Sequence, residues 1–142
     1  MNPKPRERRP TILIVDDERT VFDVISRILA ELGCRTVWAE SGGRALAVAP
    51  ATNPDLIILD LHLPDCNGLQ ILGRLKTTCK EAPVIVLTGF GSGHTARAAM
   101  VAGVFEYLTK PFDPRELRAI VREALEAGNV LQGAVEEKCV RQ

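Results

Sequence analysis

With 142 residues, of which 46% are hydrophobic and 25% charged, the chain is long enough to bury one domain-sized core. Its 18 Lys and Arg balance 18 Asp and Glu, which argues against a general nucleic-acid binder, since that class carries a basic excess. No apolar run approaches the ~20 residues that span a bilayer, and the basic start lacks the apolar core of a secretion signal, so the expected location is cytoplasmic.

Residues 1–10 hold three Pro and four Lys or Arg and are expected to form a disordered leader. Thr11–Val15 is a continuous apolar run, read as a buried strand β1, and it ends in three acids, Asp16, Asp17 and Glu18. One acid suffices to cap a following helix. Three like charges this close repel, so a bound cation explains them better. Val21, Val24, Ile25, Ile28, Leu29 and Leu32 recur at helical spacing and predict α1 over 21–32, stopped by Gly33. Residues 35–39 predict a short strand β2, with Trp38 as an edge packing residue. Ser41 is the expected cap of a short α2 through Ala49, with 50–54 as a loop between two prolines.

The stretch Asp55-Leu56-Ile57-Ile58-Leu59-Asp60 organises the chain. Its four apolar residues lack polar alternation, which suits a strand β3 covered on both faces of a parallel sheet. Gly68–Leu75 predicts α3, and Pro83–Thr88 predicts β4, with Pro only at the first position, where it is tolerated. Gly89, Gly91 and Gly93 then let the backbone move or approach a ligand. Thr95–Ala102 predicts α4 and Val104–Thr109 predicts β5, which runs into Lys110-Pro111. Asp113-Pro114-Arg115-Glu116 reads as a capping box opening α5, whose stripe is Leu117, Ile120, Val121, Ala124 and Leu125. Residues beyond Gly128 read as a C-terminal tail or a truncated linker. Strand and helix alternate five times, so the fold class is α/β, a doubly wound parallel sheet.

Cys34, Cys66, Cys79 and Cys139 form no C-x-x-C pair, and His62 and His94 are isolated, so no zinc or redox motif is present. Free thiols in a reducing compartment are the plain expectation. No G-x-x-x-x-G-K-[ST] loop follows a strand, nor any G-x-G-x-x-G, so a nucleotide site is not indicated.

The predicted strands deliver Asp16 and Asp17, Asp60, Thr88 and Lys110 to their carboxyl ends, where open α/β sheets bind ligands. Carboxylates in that number suit a hard divalent cation such as Mg²⁺. With the cation bound, a carboxylate such as Asp60 can attack phosphorus. Lys110 would offset charge on the transferring phosphoryl oxygens, and Thr88 would hydrogen-bond the attached group.

These same residues carry a resemblance. Ile14-Val15-Asp16-Asp17-Glu18, Asp60-x-x-Leu63-Pro64-x-x-x-Gly68, Leu87-Thr88-Gly89 and Tyr107-Leu108-x-Lys110-Pro111-Phe112 resemble the receiver domain of two-component response regulators, over residues 11–127. The resemblance implies a five-stranded CheY-like parallel sheet in the order 2-1-3-4-5 with five flanking helices. It implies that Asp60 is the phosphoacceptor, charged by a sensor histidine kinase or phosphotransfer protein. Mg²⁺ (or Mn²⁺) would be ligated by Asp17, Asp60 and the backbone carbonyl of His62, with Asp16 acting through water. Lys110, Thr88 and the backbone amide of Gly89 would contact the phosphoryl group, and the Lys110–Pro111 peptide is expected to be cis. Thr88 and Tyr107 correspond to a coupled switch pair that changes the α4–β5–α5 face, which would address an output domain, a downstream protein or a second copy of the chain. Arg97, Glu106, Arg115 and Arg118 are the charged residues expected on that face. Phe90, two residues after Thr88, cannot hydrogen-bond a hydrolytic water, which implies slow self-dephosphorylation.

Two other classes compete. An Asp-nucleophile phosphatase of the dehalogenase type places a second Asp two residues after the first, where this chain has His62. A phosphorylation-independent interaction module would not need the full set of acids, Thr and Lys.

Overall fold

The computed structural model describes residues 9–89 and 92–128; the expectations for most of the leader, for Phe90 and for the tail past Gly128 fall outside these residues. Five strands, β1 (Thr11–Val15), β2 (Arg35–Ala39), β3 (Leu56–Leu59), β4 (Val84–Thr88) and β5 (Glu106–Thr109), alternate with five helices. The helices are α1 (Arg19–Ala30), α2 (Gly42–Thr52), α3 (Gly68–Thr78), α4 (Gly93–Val101) and α5 (Pro114–Ala127). All strand pairs are parallel and the sheet order is β2-β1-β3-β4-β5, as expected.

Side-chain alternation along each strand feeds two cores. Leu13, Val15, Ile57, Leu59, Val84 and Val86 pack with α2, α3 and α4 residues on one face. Ile12, Ile14, Leu56, Ile58, Ile85 and Leu87 pack with α1 and α5 residues on the other. Both faces are covered, so β1, β3 and β4 are apolar at nearly every position instead of every second one. Each fully buried Ile or Leu contributes about 1.5–3 kcal/mol, and this sustains the charged rim described below.

Helix ends depart from the sequence expectation for identifiable reasons. Pro50 does not stop α2, which continues to Thr52. The stop comes one turn later, where Asn53 enters the left-handed region (φ 46°) and donates its N–H to Ala49 O at 3.0 Å. The polar residues Lys76, Thr77 and Thr78 extend α3 beyond its apolar stripe. At α5, Asp113 accepts from Arg115 N–H at 2.8 Å, one residue earlier than the anticipated capping box. A reciprocal box forms instead at α3, between Asn67 and Gln70. Pro10, placed in the leader by composition, is buried, and its carbonyl accepts from Arg35 N–H at 2.7 Å.

Candidate phosphoryl-transfer site at the carboxyl rim

The sheet ladder runs into the acids themselves. Asp16 N–H donates to Ala39 O at 3.1 Å and Asp60 N–H donates to Val15 O at 2.9 Å. These residues therefore sit as the next rungs after β1 and β3, and their side chains leave the rim at positions set by the sheet register. Lys110 arrives in the same way, its N–H bonded to Thr88 O at 3.0 Å just past the β4–β5 pair.

There the three side chains meet. Lys110 Nζ lies 2.7 Å from Asp16 Oδ2 and 2.9 Å from Asp60 Oδ2, bridging residues far apart in sequence. The remaining oxygens are also held: Asp16 Oδ1 accepts from Glu18 N–H at 2.9 Å, and Asp60 Oδ1 accepts from His62 N–H at 3.0 Å. Asp16 is 2% exposed and Asp60 3%. Buried carboxylates persist when paired and hydrogen-bonded in this manner.

Electrostatics follow from that burial. Loss of solvent is the largest influence on Asp16 and raises its carboxyl above the ordinary value. The Lys110 and Glu18 hydrogen bonds oppose the rise and the nearby Asp60 charge adds to it. For Lys110, burial works against the charge, but its bonds to Asp16 and Asp60 outweigh it and the net shift is upward.

Asp17 is exposed beside this pair, and the carboxylates of Asp16, Asp17 and Glu18 lie within 4.8 Å of one another. An all-oxygen, multiply negative set of this kind fits a hard divalent cation. Thr88 is fully buried at the end of β4, and Gly89 is exposed beyond it. Tyr107 pairs in register with Val86, and its hydroxyl is buried with no hydrogen-bond partner among the described residues. The Lys110–Pro111 peptide is cis. The structure removes Arg118 from the proposed α4–β5–α5 surface, since its guanidinium reaches Glu31 at the end of α1, 3.6 Å away. It does so because α5 packs on the α1 face of the sheet.

Sequence reasoning missed the roles of Trp38 and Asp65, and gave Gly68 only as a motif position without its steric reason. Trp38 is more than packing: its indole N–H donates to Asp16 O at 2.7 Å while its ring stacks on Phe22 and lies under the Arg19 guanidinium. Gly68 admits α3 against the rim, since a Cβ there would lie 2.6 Å from Asp60 O and 2.9 Å from Leu61 Cα. Asp65 bonds to the start of α2. The roles of Trp38 and Asp65 depend on which elements meet in space, and no local motif carries that information.

The geometry matches known proteins. A model of the response regulator receiver domain matches residues 12–122. The regulatory protein AtoC of Escherichia coli is 36% identical over 115 residues, covering 81% of this chain and 25% of AtoC. The chain spans between a quarter and about half the length of the first curated relatives it matches. A CheY-like response regulator receiver domain protein from Methanospirillum hungatei superposes with TM-score 0.81 at 29% identity, covering 86% of this chain and 98% of that one. A response regulator from Burkholderia pseudomallei, solved with a phosphorylated aspartic acid, superposes with TM-score 0.74 at 29% identity, covering 94% of this chain and 75% of that one. Sheet order, rim residues and these matches agree: the chain belongs to the response regulator receiver domain family.

Proposed function

We propose that residues 11–127 form a phosphorylation-controlled switch in two-component signalling, in which Asp60 accepts a phosphoryl group from a sensor histidine kinase or a phosphotransfer protein. The observation that carries this reading is the Lys110 bridge between two buried carboxylates at a sheet's carboxyl rim. In this reading Asp60 is the carboxylate that takes the phosphoryl group, with the Lys110 cation at its side.

In the transfer, an Asp60 carboxylate oxygen attacks phosphorus and the bond from phosphorus to the donor breaks. Lys110 pairs with the transferred oxygens, while Thr88 and the Gly89 amide hydrogen-bond them. Asp17, Asp60 and the His62 carbonyl would hold Mg²⁺ (or Mn²⁺), with Asp16 acting through water. When bound, the cation offsets charge on the phosphoryl oxygens. The new group carries about −1.5 to −2 charges, which draws the Thr88 hydroxyl and re-seats Tyr107, whose buried hydroxyl has no partner among the described residues. The change is read on the α4–β5–α5 face by an output domain, a downstream protein or a second copy of the chain. In this reading the receiver, residues 11–127, turns over no external substrate, works in the cytoplasm and does not itself bind nucleic acid. Among the described residues no helix is long and apolar enough to cross a membrane.

Intact mass after incubation with acetyl phosphate tests this, with and without Mg²⁺, on wild type and Asp60→Ala. One phosphoryl group added to wild type alone, and only with Mg²⁺, is the expected result. No addition under any condition, with the fold intact, overturns the reading.

A further inference from the structure

The nine positions from Asp60 to Gly68 fold back on themselves through Leu63 N–H to Cys66 O at 3.2 Å, Gly68 N–H to Leu61 O at 2.8 Å and a bridge between His62 and Asn67. This compact loop is also tied to a different element. The Asp65 carboxylate accepts from both Gly42 N–H, at 2.9 Å on Oδ1, and Gly43 N–H, at 2.8 Å on Oδ2. Those are the first two amides of α2; Ser41 Oγ takes the next, from Arg44, at 3.1 Å. The helix start is thus capped jointly, by its own serine and by a carboxylate from the β3–α3 loop. The approach is close, because a Cβ on Gly42 would collide with Cys66 Sγ. The Gly43 and Gly42 N–H bonds hold the Asp65 carboxyl below its ordinary value, because both stabilise the charged form.

At the other end of the same loop, His62 N–H fixes Asp60 Oδ1. We propose that Asp65 is a positioning residue for phosphoryl transfer, latching the β3–α3 loop to α2 so that the His62 main chain holds the Asp60 carboxylate in its accepting orientation. The inference rests on the function proposed above. Released from α2, the loop rocks, the His62 amide leaves Asp60, and Lys110 alone restrains the carboxylate. Outer partners that orient metal-binding side chains typically cost about 10–100-fold when removed, and Asp60 is such a side chain in the proposed function.

Two readouts on the full chain test this, with Asp65→Ala, Asp65→Asn and Asp65→Glu. The first is the rate of phosphorylation by acetyl phosphate at saturating Mg²⁺. The second is amide hydrogen exchange at His62 and at core positions such as Ile57, without phosphoryl donor. For Asp65→Ala the expected result is a roughly tenfold slower rate and lost protection at His62, with Ile57 unchanged. Asp65→Asn, which keeps one acceptor, falls between, and Asp65→Glu recovers part of both. Wild-type rate and His62 protection in Asp65→Ala would overturn the proposal, as would a slower rate with protection lost uniformly through the core, which marks simple destabilisation. Should wild type take no phosphoryl group, the functional reading fails while the exchange measurement still decides whether the latch holds His62.

Discussion

Trp38 holds Asp16 by its main chain: the indole N–H of the last-but-one residue of β2 donates to the Asp16 carbonyl at 2.7 Å. The bond restrains the Asp16–Asp17 peptide, from which two of the three clustered carboxylates project. Replacing Trp38 by Phe keeps an aromatic face for Phe22 and Arg19 but removes the donor. Urea denaturation is expected to show a loss of about 0.5–1.5 kcal/mol, the usual net worth of one hydrogen bond. Mg²⁺ titrations followed by phosphorylation rate should need more cation in Trp38→Phe. Because the chain has one tryptophan, wild-type fluorescence should itself respond to Mg²⁺. An unchanged denaturation midpoint and cation requirement in the variant would show that the bond restrains nothing.

Asp16 makes stability depend on pH in an unusual direction. Burial, the largest influence, raises its carboxyl above the ordinary 3.8. A folded state that holds the proton more tightly than the unfolded chain loses stability as pH rises from the unfolded value through the folded one. This is the reverse of the behaviour of a carboxylate stabilised by its partners. In chelator-containing buffer at about pH 7.5, Asp16→Asn should therefore be more stable than wild type, and the advantage should shrink as the pH is lowered towards the ordinary carboxylate value of 3.8. Guanidinium denaturation across that range is the check. A constant difference at every pH would mean that Asp16 ionisation is not the cause.

Two glycines of α3 should respond oppositely to alanine. At Gly68 a Cβ would strike main-chain atoms of Asp60 and Leu61, which cannot rotate aside. Gly68→Ala should cost about 1–3 kcal/mol, as overpacking does, and slow phosphorylation by shifting Asp60. At Gly73, in the middle of the helix, a Cβ meets nothing within 4 Å. Gly73→Ala should add roughly 0.5–1 kcal/mol through helix propensity. Thermal melts of the two variants settle both; a shift of the same sign in each would contradict the steric account.

The strands and their order were legible because each buried strand is an uninterrupted apolar run ending in a polar residue, and because the rim motifs resemble one family. Helix ends were less so. Pro50 reads as a stop from local chemistry, but it lies in the last turn of α2, and the helix ends instead at Asn53. Lys110, Asp16 and Asp60 were placed on one rim by counting strand ends, and their direct contact adds what counting does not supply. Trp38 and Asp65 escaped because an indole N–H and an exposed carboxylate are each satisfied by a backbone group from another element. Nothing within a few residues of either announces that partner.

Asp16 and Asp60 are the rungs by which the β1–β2 and β1–β3 ladders continue past the strands. Ordering their backbones is therefore part of forming the sheet, and no separate conformational entropy remains to be lost at those two residues when a phosphoryl donor arrives. Their amides should open to solvent only with the sheet itself, on the slow timescale of global unfolding. The loops around them are left to supply what must move. Under the proposed function, the main chain of the acceptor is in place whenever the sheet is folded, and only side chains and loops are left to respond to the donor.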